Sequence, residues 1–343
     1  MALSATGGSD TLHRVGRKGF FAARLAVMQP GTLAPVDLYI RVKNPPRFVL
    51  YKSAGATLTD EVRHRLIDNN VHELYIQKAD EEAYGQYVER NISTIIRDDL
   101  LPLEDACTLV YDNSRRVMAQ VFESPQSTRN LRRVRMMSEA MVLGVLRDSD
   151  AIWHMTSLAS RHYRTYTHSV NVALYMVAAA NEVLGIDDAR TLTDISYGSV
   201  LHDIGKTEIP TRILDRPGAL SDEEFEIVRH HPVAGLRIVS RYGGVPRTAA
   251  SIIRSHHENV GGTGYPEALE WESIPPVARL ARIVDAFEAM TTDRPHARAR
   301  TPYAALHEMA SLGRVFDVAL LRCFIVFLGP RPPKTDQSPP PQA

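Results

Sequence analysis

The chain has 343 residues, a length that suggests two compact domains, and its 40 Lys and Arg residues balance 40 Asp and Glu residues. Zero net charge argues against an extended basic surface for nucleic acid and against a polybasic membrane anchor. The two cysteines, Cys107 and Cys323, have no paired spacing, which disfavours a disulfide framework or a zinc ribbon and favours a reducing compartment. No signal peptide is visible, and no apolar run approaches the roughly 18–20 residues of a membrane span. We therefore expect a cytoplasmic protein that binds neither nucleic acid nor membrane.

The two ends of the chain have the composition of disordered segments. Residues 1–19 are mostly small and polar, and residues 330–343 are rich in proline. Neither segment can bury enough apolar surface to offset the entropy lost on folding. Between them, differences in pattern divide the chain into a first region, 20–145, and a second region, 146–329.

The first region opens with a mixed pattern. Residues 36–42 alternate apolar and polar side chains, as a half-buried strand does, and residues 47–51 are a second candidate strand. Apolar residues four positions apart predict a helix over 57–69, and residues 71–76 predict a further strand. These elements predict a small α+β module, and no catalytic cluster is evident in it.

From about residue 80 onward the sequence is typical of helices. Residues 80–98, 102–122 and 127–146 predict long connecting helices. Such helices could carry a signal between the two regions or form the seam of a homodimer, and simple packing within the chain is an equally good interpretation.

Histidine and acidic residues are concentrated in the second region, in five groups. In chain order they are His168, His202-Asp203, His230-His231, His256-His257-Glu258 and Asp285. Several lie within or beside apolar runs, where a buried carboxylate is costly unless it is paired or bound to a metal. Polar groups that converge from otherwise apolar helices are how helix bundles build metal sites.

The residue types indicate which metals would bind. Imidazole and carboxylate ligands suit iron, manganese, zinc or nickel better than calcium or magnesium. The five groups hold more candidate ligands than one tetrahedral zinc needs, so the set predicts two metals that share a carboxylate. Two metals about 3.5–4 Å apart are well suited to phosphate ester hydrolysis.

The stretch His202-Asp203-Ile204-Gly205-Lys206, with Gly264-Tyr265-Pro266 downstream, resembles the HD-GYP subgroup of the HD phosphohydrolase superfamily. The resemblance covers residues 151–328 and includes Pro217-Gly218, His231-Pro232 and Asp293-Arg294-Pro295. It implies an all-α catalytic domain, an HD-type helical bundle, placed after the small α+β module and the connecting helices.

The resemblance also implies a reaction, the hydrolysis of cyclic di-GMP to pGpG or GMP by a hydroxide held between two divalent metals, commonly iron or manganese. Asp203 would bridge the metals. The implied ligands are His168, His202, Asp203, His231, His256, His257 and Asp285.

The same resemblance implies contacts with the substrate. Lys206 and Arg294 would meet the phosphates, since a guanidinium is well shaped for bidentate phosphate contact, and Lys206 could also protonate the leaving oxygen. The GYP loop, residues 261–266, would shape the site beside the substrate and receive a protein partner. Its glycines permit positive φ and close backbone approach. The substrate-facing loop residues are Gly262, Gly264, Tyr265 and Pro266.

Three positions depart from the family pattern. Gly261 stands where many members carry an acid, and residues 296–300 replace a segment that usually holds tyrosine and basic residues, so Arg298 could supply a phosphate contact. Arg164 stands where members with a third metal carry a glutamate, which favours two metals here. None of these departures removes a ligand of a two-metal site.

Two other functions remain open at this point. The chain could be a phosphohydrolase for another nucleotide, because the altered segment 296–300 is expected near the substrate. It could also be a non-hydrolytic nucleotide sensor or a protein that docks a partner through the GYP loop. Loss of His202, Asp203 or Asp285 would favour that second alternative, and all three are present.

Overall fold

The structure is a computed structural model that describes residues 15–16, 19–42, 45, 47–148, 150–158, 165–216, 218–241, 243–294 and 298–329. The segment 330–343 and most of 1–19, both predicted to be disordered, lie outside these residues. So do Arg164, Pro217, Pro295, His296 and Ala297, which carried part of the family comparison. The described chain is mostly helical, with a small strand module near its N-terminus, and this confirms the predicted fold class.

The N-terminal module is an antiparallel sheet in the order β1-β2-β5-β3-β4, with one helix. Its elements are β1 (Val15–Gly16), β2 (Phe20–Arg24), β3 (Leu38–Val42), β4 (Arg47–Lys52), α1 (Asp60–Asp68) and β5 (Glu73–Gln77). The three predicted strands and the predicted helix are confirmed, with ends shifted by a few residues. The helix starts where the Thr59 side chain accepts a hydrogen bond from the Val62 N–H.

Strand β2 was not predicted from the sequence. Its residues 21–23 are buried in succession, so both faces of the strand are covered. Alternation of apolar and polar residues, the signal used for the other strands, is therefore absent.

The three connecting helices are confirmed as α2 (Glu81–Ile96), α3 (Leu103–Glu123) and α4 (Thr128–Arg147). The C-terminal elements are α5 (Ala151–Ser157), α6 (Thr165–Glu182), α7 (Ala189–Leu201), α8 (Thr211–Leu214), α9 (Asp222–Arg229), α10 (His231–Ser240), α11 (Arg247–Ser255), α12 (Pro276–Thr291), α13 (Pro302–Ser311) and α14 (Val318–Phe327).

The connecting helices share one hydrophobic core with the C-terminal helices. Helices α3 and α4 pack against each other, α3 contacts α6, and α4 contacts α7. At the α4–α7 contact, Arg135 Nη1 lies 2.5 Å from Asp194 Oδ1. Simple packing within the chain therefore accounts for much of the apolar surface of these helices.

Helix α6 is deeply enclosed. Every residue from 167 to 174 is buried, so its histidine and asparagine side chains must find partners inside the protein. The C-terminal helix α14, in contrast, is buried on one face by Leu321, Phe324 and Phe327, while Val326 is 78% exposed. In the part of the chain that the structure describes, no helix combines the length and apolar character needed to cross a membrane.

Candidate metal centre

The centre begins at the C-terminal end of α7. His202 follows the last residue of that helix, and Asp203 precedes a 3₁₀ turn formed by residues 204–208. Gly205 in this turn packs against the start of α10, where a β-carbon on Gly205 would lie only 2.0 Å from the His231 carbonyl oxygen. The absence of a side chain at Gly205 thus allows His231 to approach Asp203.

Three further elements bring the remaining ligand candidates to the same point. His256 and His257 follow directly after α11, which packs against α7. His168 lies in the first turns of α6, and Asp285 lies in the middle of α12, which packs against α6. All of these residues are buried except His257, which is half-buried.

The seven residues form two adjacent groups. Within each group the ligand atoms lie within 4.8 Å of one another. The first group is Asp203, His231, His256 and His257, and the second is His168, His202 and Asp285. These are the seven ligands that the resemblance implied, and the structure brings them all together.

Asp203 lies between the two groups. Its Oδ1 is 3.2 Å from His231 Nε2 and 3.8 Å from His256 Nε2, in the first group. Its Oδ2 is 3.4 Å from His202 Nε2 and 3.8 Å from His168 Nε2, in the second group. One carboxylate oxygen therefore faces each group, the arrangement required of a bridging ligand.

Asp285 also contacts both groups. Its Oδ1 lies 3.0 Å from His168 Nε2 and 3.8 Å from His202 Nε2, and its Oδ2 lies 4.0 Å from His257 Nδ1. Two buried carboxylates thus lie between five imidazoles, and this composition matches the preferences of first-row transition metals.

Hydrogen bonds at Nδ1 orient four of the imidazoles. His202 Nδ1 lies 2.6 Å from the Ser199 carbonyl oxygen, and His231 Nδ1 lies 2.7 Å from the Val228 carbonyl oxygen. His256 Nδ1 lies 3.1 Å from the carbonyl oxygens of residues 252 and 253, and His168 Nδ1 contacts the carboxylate of Glu288. Since each of these partner oxygens can only accept, Nδ1–H donates in each case, and Nε2 is left as the atom that would bind a metal.

Burial and neighbouring charges shift the pKa values of the candidate ligands in different directions. Burial would lower the pKa of His168, but the carboxylates of Glu288 and Asp285 outweigh it and raise that pKa to about 10, so metal binding at His168 would displace a proton. Burial, reinforced by neighbouring imidazoles, holds the pKa values of His256 and His257 well below the usual value. Burial alone would raise the pKa of Asp203, but Lys206 and His202 outweigh it and hold that pKa well below the usual value. Neutral imidazoles and ionised carboxylates are the forms that bind metal.

Two buried atoms at the centre provide a test of whether a metal fits. His202 Nε2 and Asp203 Oδ1 make no hydrogen bond of ordinary geometry with the described residues. Leaving such buried polar atoms unsatisfied is costly. His231 Nε2 and His256 Nε2 also face each other at 3.1 Å, although both carry lone pairs when Nδ1 is protonated. A divalent cation in each group would satisfy these atoms, so the residues fit a metal.

The GYP loop packs directly on the first group. Tyr265 stacks on the His257 ring with 4.6 Å between ring centroids, and its N–H donates to the His257 carbonyl oxygen at 3.2 Å. A β-carbon on Gly264 would lie 2.3 Å from the Asn259 nitrogen, so only glycine allows the chain to turn there. Gly262 has a φ of +73°, as expected for a glycine at a turn, and the peptide bond before Pro266 is cis.

The departure at Gly261 has a structural explanation. Its N–H donates to the Arg314 carbonyl oxygen at 2.9 Å, and a β-carbon there would lie 2.8 Å from the Arg314 β-carbon. An acidic side chain at this position would therefore require the segment around Arg314 to move.

The cationic residues expected to contact phosphate occupy different places. Lys206 lies beside the centre, with its Nζ 2.6 Å from Asp203 Oδ2 and 19% of its side chain exposed. Arg294 is half-buried beyond the end of α12, and Arg298 is exposed at the rim of a cavity of about 550 Å³ that Glu288 and Asn171 also line. For these two arginines, phosphate binding stays a prediction.

Two further carboxylates support the centre: Glu288, which sequence reasoning missed, and Glu258, which it grouped with His256 and His257 without assigning a role. Glu288, 2% exposed on α12, accepts hydrogen bonds from His168 and from Asn171 Nδ2 at 2.7 Å. Glu258, 1% exposed, accepts from the N–H groups of Glu267 at 2.8 Å and Leu269 at 2.9 Å, and so holds both ends of the GYP loop together. The sequence does hold one feature that could have identified Glu288: it comes three residues after Asp285 and so lies on the same face of α12.

Comparisons with known proteins agree with this geometry. The family model described as "HD domain" matches residues 150–320. The chain is 35% identical over 185 residues to the "Cyclic di-GMP phosphodiesterase PA4108" of Pseudomonas aeruginosa, covering 54% of this chain and 44% of that protein. It is 34% identical over 167 residues to a "Cyclic di-GMP phosphodiesterase" of Thermotoga maritima, covering 48% of this chain and 45% of that one. The chain thus spans less than half the length of these two relatives.

A solved structure supports the fold over a longer stretch. Bd1817, described as an HDG"Y"P protein from Bdellovibrio bacteriovorus, matches with a TM-score of 0.62 and 20% identity, covering 90% of this chain and 99% of that one. At this identity the likeness concerns the fold alone. Together, the matched segment 150–320 and the two enzymes show that the chain belongs to the HD domain family, in agreement with the HD-GYP motifs in its sequence.

Proposed function

We propose that the chain is a metal-dependent phosphodiesterase that hydrolyses cyclic di-GMP to pGpG, GMP or both. The observation that carries the proposal is the position of Asp203, whose two carboxylate oxygens face two separate groups of histidines. A carboxylate in this place can hold two cations at the spacing that phosphodiester hydrolysis uses. The names of the two relatives support the choice of substrate.

Membership of the HD domain family implies divalent metal binding. Our proposal is that two ions bind, one in each group, with iron or manganese as the preferred metals because the ligands are imidazoles and carboxylates. Bound metal would act as a Lewis acid that lowers the pKa of water and neutralises charge on the phosphodiester.

The protein's own groups would then bind and orient the substrate. Lys206 reaches the edge of the centre with a partly exposed ammonium group, where it could contact a phosphate oxygen and give a proton to the leaving oxygen. Tyr265 covers His257 and, with Phe225 at 6.1 Å between ring centroids, forms an aromatic surface beside the centre. Such a surface is suited to stacking against a nucleobase.

The test combines metal content with turnover on one sample. Protein purified anaerobically should contain about two iron or manganese ions per chain and should cleave cyclic di-GMP. The Asp203→Asn variant, which keeps the shape of the side chain, should lose metal and activity while retaining its helical circular dichroism. Bound metal with no turnover of cyclic di-GMP under any loading would contradict the proposal. Faster turnover of another cyclic dinucleotide or of a nucleotide monoester would assign a different substrate to the same centre.

The organisation of the whole chain is part of the same proposal. Residues 20–145 would act as a regulatory module with connecting helices, and residues 146–329 would form the catalytic domain.

A protein partner would dock at the GYP loop, beside Phe225, which is 45% exposed. A homodimer would form through α4, which leaves Met136 and Leu146 40% and 42% exposed. Analytical ultracentrifugation of the wild type and of Met136→Glu tests the dimer, and the cytoplasmic location stays a prediction.

A further inference from the structure

Among the four histidines whose Nδ1 points away from the centre, His168 is anchored differently. His202, His231 and His256 donate to backbone carbonyl groups within four residues. These carbonyls belong to the same stretch of chain as the ring, so local backbone geometry orients each imidazole. His168 instead donates to Glu288, 120 residues away on α12. The orientation of this imidazole therefore depends on whatever holds the Glu288 carboxylate.

Two further side chains hold that carboxylate on its other oxygen. Asn171 Nδ2 donates to Glu288 Oε1 at 2.7 Å, and the Thr292 hydroxyl donates to the same oxygen at 2.8 Å. With Oε1 occupied by these donors, Oε2 is directed at His168 Nδ1. Asn171 is 2% exposed and lies one turn after His168 on α6.

The amide of Asn171 is itself oriented by a residue from a connecting helix. The Tyr111 hydroxyl, on α3, donates to Asn171 Oδ1 at 3.1 Å, and Tyr111 is fully buried. An amide has one acceptor and one donor end. Because Tyr111 occupies the acceptor end, the Nδ2 donor end is turned toward Glu288. A flipped amide would present its carbonyl oxygen to the carboxylate, and the two would repel.

We propose that Tyr111, Asn171 and Glu288 are positioning residues that set the orientation of His168 as a metal ligand. Three hydrogen bonds connect the four side chains from Tyr111 to His168. Tyr111 lies on α3, which is outside the matched segment 150–320. Helix α3 thereby supports the metal centre without supplying a ligand, and the orientation of His168 depends on it. The inference rests on the proposed function only in taking His168 as a ligand.

The test measures metal binding without any substrate. Apo full-length protein is titrated with Co²⁺ against a competing chelator, and the absorption spectrum of the bound Co²⁺ is recorded. Removal of an outer partner of a metal-bound histidine lowers metal affinity by about 10–100-fold. We expect a loss in this range for Glu288→Gln and a loss near its lower limit of about tenfold for Tyr111→Phe. Both variants should shift the Co²⁺ absorption bands, because the ligand field at His168 changes.

Tyr87→Phe is the matched control. Its hydroxyl is also buried and bonded, to the Gln29 N–H and to the Thr32 hydroxyl, both at 2.8 Å, but it lies in the N-terminal part of the fold. It should lower stability about as much as Tyr111→Phe while leaving Co²⁺ affinity and spectrum unchanged.

A double variant separates positioning from a general loss of stability. If Tyr111 acts through Glu288, the affinity loss of Tyr111→Phe with Glu288→Gln should be clearly smaller than the product of the two single losses. Two results would overturn the inference. One is an affinity loss in the double variant equal to the product of the two single losses, and the other is wild-type Co²⁺ affinity and spectrum in Tyr111→Phe. Because no substrate is present, these outcomes do not depend on whether cyclic di-GMP is cleaved.

Discussion

The ammonium group of Lys206 lies 2.6 Å from Oδ2 of Asp203, the oxygen that faces His168 and His202. Lys206 comes three residues after Asp203, and the 3₁₀ turn between them directs both side chains to the same side. A cation therefore lies within hydrogen-bonding distance of the candidate bridging carboxylate, at the partly exposed edge of the centre.

Replacing Lys206 with glutamine should lower kcat far more than it raises KM. Loss of a group that protonates the leaving oxygen costs about 10²–10⁴-fold in rate, whereas metal content should stay at the wild-type level because lysine is not among the ligands. Steady-state kinetics and elemental analysis on the same samples measure both effects. Arg237→Gln removes a cation that is 58% exposed and should leave kcat unchanged. A Lys206→Gln enzyme with normal kcat and raised KM would limit Lys206 to phosphate binding.

Replacing Glu258 with glutamine should loosen the GYP loop. The Glu258 carboxylate accepts the N–H groups of Glu267 and Leu269, and an amide would direct its NH₂ group at one of them. Leaving a buried donor unsatisfied costs about 1–3 kcal/mol, so the melting temperature should fall and KM should rise while metal content is unchanged. Glu267→Gln, which alters only the ion pair with Arg254, is the control. An unchanged KM would show that the loop does not contact substrate.

Replacing Gly205 with alanine should separate the 3₁₀ turn from α10. The added β-carbon would meet the His231 carbonyl oxygen and the Gly235 nitrogen, and overpacking of this kind costs about 1–3 kcal/mol or more. Because the same contact brings His231 to Asp203, metal affinity should fall together with stability. Gly244→Ala adds a β-carbon in open space and should be close to neutral. Chemical denaturation and Co²⁺ titration compare the two variants, and wild-type metal affinity in Gly205→Ala would contradict the prediction.

Asp317 should make part of the stability of the C-terminal helices depend on pH. It accepts hydrogen bonds from the Trp271 indole at 2.9 Å and from the Leu320 N–H at 3.1 Å, and it pairs with Arg279. Burial would raise its pKa, but these partners outweigh burial and hold the pKa below its ordinary value of 3.8. A carboxyl whose pKa is lower in the folded state stabilises the fold above the unfolded-state pKa and loses that contribution as pH falls through the folded-state pKa.

The measurement is the free energy of unfolding of the wild type and of Asp317→Asn between pH 7 and pH 3. At neutral pH the variant should be less stable by about 1.5–3 kcal/mol, the range for hydrogen bonds to a charged group. The difference should stay constant down to about pH 5 and shrink below about pH 4. Asp215→Asn, at an exposed position, should show no such convergence. A difference that stays constant into acid would mean that the charge of Asp317 does not contribute.

Local patterns in the sequence were sufficient for most elements of the fold. The three connecting helices and strands β3, β4 and β5 were predicted because the spacing of apolar residues reports which face of a single element is buried. Strand β2 was not predicted because it is buried on both faces. Its conformation depends on its neighbours in space rather than on its own pattern of apolar residues.

The candidate ligands could also be named from the sequence, since histidines and acids are conspicuous beside apolar helices and follow the order of the HD-GYP motifs. The grouping of those ligands required the tertiary structure. The packing of α7, α10 and α11 decides which oxygen of Asp203 faces which histidine. The distance between packed helices cannot be read from the spacing of residues in the sequence.

The supporting hydrogen bonds are the feature that the sequence alone predicts least. His168 and Glu288 are 120 positions apart, and Tyr111 and Asn171 are 60 apart. Taken singly, a buried glutamate, asparagine or tyrosine resembles many others in helical proteins. The sequence by itself thus determined the helical class and the residue types able to bind metal, because these follow from local periodicity and side-chain chemistry. The tertiary structure alone decided which buried polar groups meet, because only the packing of α3, α6 and α12 brings their side chains within hydrogen-bonding distance.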